Sequence, residues 1–66
     1  MKAIANPRGN VYERNRDGNL VKPMCDVTAN ILGEVINVVD VVSELCFLCE
    51  YEGYYFNLSP GEVDDV

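Results

Sequence analysis

The chain reads as a small α+β domain in the order ββαββ: an antiparallel sheet of two hairpins with one amphipathic helix packed on it. Two observations predict this. Polar residues between Asp26 and Leu45 recur at a helical period. Asp17-Gly18 and Glu52-Gly53 each separate two segments of extended character, a hairpin signature. At 66 residues the chain makes a single small domain, 1–66, with room for one thin core.

The helix is predicted over residues 26–45. Its polar positions are Asn30, Gly33, Glu34, Asn37, Asp40, Ser43 and Glu44, mostly three apart. The complementary stripe is Ile31, Leu32, Val35, Ile36, Val38, Val39, Val42 and Leu45, with Val41 on the polar flank. Asp26 is the expected N-cap. Intrinsic propensity opposes the helix. Six Val and two Ile in this stretch favour a strand. Gly33 costs about 1 kcal/mol in a helix interior. The separation of the two faces outweighs propensity, so Val35, Val38, Val39 and Val42 are the expected core and dimer positions. A wide apolar arc on a short chain calls for a partner, and a homodimer is expected.

Residues 1–24 form a basic hairpin region. Asn6-Pro7-Arg8-Gly9 is a turn, and Val11–Asn15 pairs with Leu20–Met24. With Asp17-Gly18 as the loop, Glu13 faces Lys22. Residues 46–58 form the C-terminal hairpin. With Glu52-Gly53 as the loop, Tyr51 faces Tyr54, Cys49 faces Phe56 and Phe47 faces Leu58, all on one apolar side. The other side carries Cys46, Leu48, Glu50, Tyr55 and Asn57. In the tail, 59–66, Ser59 and Glu62 match a capping box; a mobile acidic segment with one turn is expected.

The net charge of −6 is segregated. Residues 1–24 hold five bases and two acids, a net of +3. Residues 25–66 hold nine acids and no Lys or Arg, a net of −9. Such a field repels nucleic acid and membrane phosphates and attracts basic protein surfaces. On the expected helix, Glu34, Asp40 and Glu44 stand about 9 and about 6 Å apart along the axis. Glu50, Glu52 and Tyr55 extend this array from the second hairpin. A rigid row of carboxylates can replace phosphates in the basic site of a DNA- or RNA-binding protein, with Tyr55 as an apolar anchor. Tyr12, Arg14 and Arg16 are material for a nucleic-acid contact, but the surrounding acids oppose it.

Catalytic material is sparse. There is no His, Ser43 and Ser59 have no suggestive partners, and no phosphate-binding glycine motif occurs. Cys25, Cys46 and Cys49 are odd in number and provide too few ligands for a closed zinc site, so they read as small apolar residues. No catalytic residue, metal or cofactor is expected. The start, MKAIANPRGN, has no apolar signal region, and no run reaches the ~18 residues of a membrane span. A reducing cytoplasm is the expected location.

In size and composition the chain resembles the host-takeover and anti-defence proteins of bacteriophages, some of which are DNA mimics. That resemblance implies a non-enzymatic inhibitor of a basic, nucleic-acid-binding protein. The alternative is an antitoxin-like or enzyme-inhibitor module that binds through apolar contacts at Tyr55, Val41 and Leu48. A small Cys-ligated metal protein is the third option.

Overall fold

The structure, a computed structural model, describes residues 1–66. It is a half-barrel of five antiparallel strands with a single short helix. The strands are β1 (Lys2–Ala5), β2 (Val35–Ser43), β3 (Cys46–Tyr51), β4 (Tyr54–Leu58) and β5 (Val63–Asp64). Their order in the sheet is β4-β3-β2-β1-β5. Helix α1 covers only Thr28–Ile31.

The long helix expected over 26–45, and with it the ββαββ fold, is therefore corrected: Val35–Ser43 of that segment is β2, and only Thr28–Ile31 is helical. The physical reason lies in two bulges. Val38 pairs with Cys49 and Asp40 with Leu48, leaving Val39 extra; Val41 pairs with Phe47 and Ser43 with Cys46, leaving Val42 extra. Each bulge adds one residue to a period of two. Asn37, Asp40 and Ser43 consequently fall on one side of a strand at a spacing of three, which imitates a helix. The β-branched side chains then act as their propensity dictates. Gly33, at φ +77, ends the helical turn and starts the strand. Deleting Val39 should regularise the ladder without turning any paired residue over, so near wild-type stability is expected in urea unfolding. A collapse of the fold would contradict the bulge assignment.

The C-terminal hairpin has the register read from its sequence: Tyr51 pairs with Tyr54, Cys49 with Phe56 and Phe47 with Leu58. Positive φ at both Glu52 (49) and Gly53 (91) suits the tight turn and matches the strand twist. Its apolar side packs into the barrel interior, not against a helix. There Phe56, Ile31, Ile36, Leu58 and Cys49 are almost wholly enclosed. Val11 and Val27 close the core from the long segment between β1 and α1. That segment is tied down by Val27 N–H to the Val11 carbonyl at 2.8 Å and by Val11 N–H to Thr28 Oγ1 at 2.7 Å. Asp26 accepts from the Thr28 N–H (2.9 Å) and hydroxyl (2.6 Å), so it fastens the start of α1.

The N-terminal hairpin is slipped by one residue from the expected register. Arg14 pairs with Leu20, and Glu13 accepts from Val21, not opposite Lys22. Asn15 decides this: its Oδ1 accepts from the Asp17 and Asn19 amides at 2.9 and 3.0 Å, making a three-residue loop. The tail also differs from expectation. The Ser59–Glu62 capping box forms, Pro60–Glu62 is a 3₁₀ turn, and β5 pairs with β1 through Ala5–Val63 and Ile4–Asp64.

Candidate functional site

Of the expected core positions, only Val38 enters the interior. Val35 pairs with Ile4 on the outer side of the sheet, while Val39 and Val42 are the exposed bulge residues. No helical seam exists through which these four residues can join two copies.

The acidic row is likewise dispersed. Glu34 precedes β2 and accepts from the Tyr51 hydroxyl at 2.7 Å. That carboxylate pushes the Tyr51 phenol up. Glu34, Asp40 and Glu44 follow a bulged strand and the turn after it, and share no helix face. Glu50 is engaged internally: it accepts from the Gly53 amide (2.8 Å) and from Asn37 Nδ2 (2.7 Å). Those bonds, the amide's first, hold its carboxyl below the usual range. Glu52 occupies the β3–β4 turn.

What the fold brings together instead is a cleft on the outer face of the sheet. It has a volume of about 360 Å³ and is lined by Arg16, Val39, Asp40, Leu48 and Tyr55. Leu48 is its floor, only 9 % exposed although it faces away from the core. Tyr55 stands on β4 with the Arg16 guanidinium 5.8 Å from its ring centroid, a cation–π arrangement. Asp40 lies on β2, across Leu48 from Tyr55.

Arg16 reaches this place because its loop is fixed to the edge of β4. The Arg14 N–H donates to the Tyr55 carbonyl at 2.7 Å, and Arg14 Nη1 donates to the Gly18 carbonyl at 2.8 Å. Tyr55, expected as an anchor among acids, thus has a basic neighbour. Arg16 was expected on a basic hairpin and Val39 on a helical seam, and neither was expected beside Tyr55. Nothing local relates residue 16 to residue 55, and the outward turn of Val39 depends on a bulge.

The cysteines do not converge. No group of three or more Cys, Asp and Glu side chains is placed to hold a metal ion. Cys25 is exposed, whereas Cys49 is enclosed and burial pushes its thiol up to about 11. A disulfide-exchange reagent applied to native protein is expected to modify Cys25 first and Cys49 only on unfolding. Modification of Cys49 at the rate of Cys25 would contradict the buried position of β3.

No protein-family model matches the chain, and no similar curated protein or solved structure was found. No helix is long and apolar enough to cross a membrane. Fold and cleft together describe a small all-β half-barrel with an amphipathic cleft on its outer face.

Proposed function

We propose that this protein is a non-enzymatic binding module for another protein, with the outer-face cleft as its contact site. The observation that carries this reading is the cleft itself. Leu48 forms an apolar floor beside Val39 and Tyr55, and Arg16 and Asp40 offer one charge of each sign. A concave apolar patch with a few convergent polar groups is the usual form of a recognition site. Tyr and Arg are the residue types most often dominant in protein contacts. The reading favours apolar anchorage, as an antitoxin-like or inhibitor module uses. Cytoplasmic residence belongs to the same proposal, since three unpaired thiols suit a reducing compartment.

The test is capture from a nuclease-treated lysate, with salt washes, by the wild type and by Tyr55→Ala. A partner that survives high salt and is lost by at least tenfold with Tyr55→Ala is the expected result. A partner released by salt and indifferent to Tyr55→Ala would overturn the reading. It would favour nucleic-acid charge mimicry, whose support is the −9 of residues 25–66.

A further inference from the structure

We propose that the outer-face cleft receives a dipolar segment of its partner: one apolar side chain seated on Leu48, flanked by a basic residue that meets Asp40 and an acidic residue that meets Arg16. The inference rests on reading the cleft as a protein contact, and it names the chemistry of what enters.

The charges around the cleft fall into two groups. Several are already bound within the chain. Glu50 accepts from the Gly53 N–H and from Asn37 Nδ2. Lys2 Nζ donates to Asn37 Oδ1 at 3.1 Å, and the Met1 ammonium donates to the Val38 carbonyl at 3.3 Å. Arg14 Nη1 donates to the Gly18 carbonyl. Asp40 and Arg16 differ from these. Both are exposed, and neither makes a side-chain hydrogen bond or an ion pair within the chain, with the other or with any third residue. The Arg16 guanidinium rests over the Tyr55 ring instead. Two unpaired charges of opposite sign thus line one cleft.

The sheet keeps them apart. Asp40 stands on β2 and Arg16 lies over Tyr55 on β4, while β3, which carries Leu48, runs between. Strands β2 and β4 are two strand spacings apart, about 10 Å. A ligand that meets both charges therefore crosses the apolar floor. At about 360 Å³ the cleft is at the small end of the ~300–1,000 Å³ range of recognition pockets. That suits one apolar side chain and the stems of its neighbours, not a whole helix or hairpin. Val39, 51 % exposed beside Leu48, and the Tyr55 ring complete the apolar contact.

A segment that carries bases alone satisfies Asp40 and sets a like charge against Arg16. One that carries acids alone does the reverse. Covering either charge without a counter-charge is costly. A segment with one charge of each sign, placed on either side of its apolar residue, satisfies both.

Selection of short random peptides, displayed on phage, against the immobilised full chain provides the test. Peptides selected by the wild type are expected to carry an apolar residue with a base on one side and an acid on the other. Asp40→Lys leaves two bases in the cleft and should select acids on both sides. Arg16→Glu leaves two acids and should select bases on both sides. These outcomes do not depend on which way the peptide runs. Both positions are exposed and unpaired, so circular dichroism should be unchanged in either variant. The milder Asp40→Asn and Arg16→Gln should each weaken a peptide selected by the wild type by about threefold or more, on the scale of one partly exposed ion pair. Wild-type selection of bases alone overturns the proposal. So do the same flanking charges from all three proteins, or no selected sequence at all. If Tyr55→Ala still abolishes capture of a lysate partner in those cases, the protein-contact reading stands and only the dipolar segment falls. Flanking charges that follow the variants, with lysate capture indifferent to Tyr55→Ala, support the dipolar cleft and place the captured protein elsewhere on the surface.

Discussion

Replacing Phe56 with alanine is expected to unfold most of the protein. Its ring is 0 % exposed and lies opposite Cys49 in the middle of the β3–β4 hairpin. The Tyr54 ring packs at 6.0 Å from it, tilted by 48°. Truncating a buried Phe to Ala costs about 3–5 kcal/mol, combining lost transfer energy with the cavity left behind. A single core in so short a chain rarely supplies more than about 3–5 kcal/mol. The cost thus matches the whole stability. Circular dichroism and urea unfolding should show a largely unfolded Phe56→Ala. Phe56→Leu, which keeps most of the volume, should fold with a lowered midpoint. A wild-type midpoint for Phe56→Ala would mean that the core is built elsewhere.

The second large effect is expected at Glu62, and it depends on pH. Its carboxylate accepts from the Ser59 N–H (3.1 Å), the Ser59 hydroxyl (3.0 Å) and the Arg8 N–H (2.9 Å). Its own carbonyl receives the Asn6 N–H at 2.7 Å. One side chain therefore closes the 3₁₀ turn, ties it to the segment after β1 and aligns β5. Burial pushes its pKa up, but the hydrogen bonds from Arg8 and Ser59 outweigh burial and hold it below the ordinary 4.5. A carboxyl whose folded pKa is depressed stabilises fully above its unfolded value and loses that contribution as pH falls through the folded one. Stability should decline on acidification below about pH 5, with Asp26 and Glu50, both also lowered, acting in the same direction.

Glu62→Gln retains the shape but not the charge, and its amide nitrogen cannot accept. It should cost about 1–2 kcal/mol at neutral pH, allowing for solvent screening. The loss should shrink as pH falls, since the wild type then protonates too. Parallel stability–pH curves for wild type and Glu62→Gln would show that the carboxylate has no part in holding β5.

How much was readable before folding differs sharply between segments. The register of the C-terminal hairpin was legible, though not what its apolar face packs against. A two-residue turn demands positive φ, which Gly53 adopts freely, and only one register puts Phe47, Cys49, Tyr51, Tyr54, Phe56 and Leu58 on one side. The Ser59–Glu62 box was legible too, because all its hydrogen bonds are local. The segment 26–45 was misread for a definite reason. A spacing of three among Asn37, Asp40 and Ser43 has two physical sources, a helix or a strand with repeated bulges. Only pairing with β3 selects between them. The Val and Ile content already pointed to the strand, and here propensity carried the better information. The tail's role was hidden because Val63 and Asp64 become a strand only when β1 lies beside them.

What this sequence settles by itself is therefore a set of features that depend on neighbours in the chain: the Glu52-Gly53 turn, the capping box, the register of one hairpin and the segregation of charge. The closure of β5 on β1, the bulged path of β2 and the meeting of Arg16 with Tyr55 belong to the tertiary structure alone. These contacts join residues far apart in the chain, and they become favourable only after the intervening segments are ordered. The candidate cleft is made wholly of such contacts. That is why its residue types were visible in advance and its assembly was not.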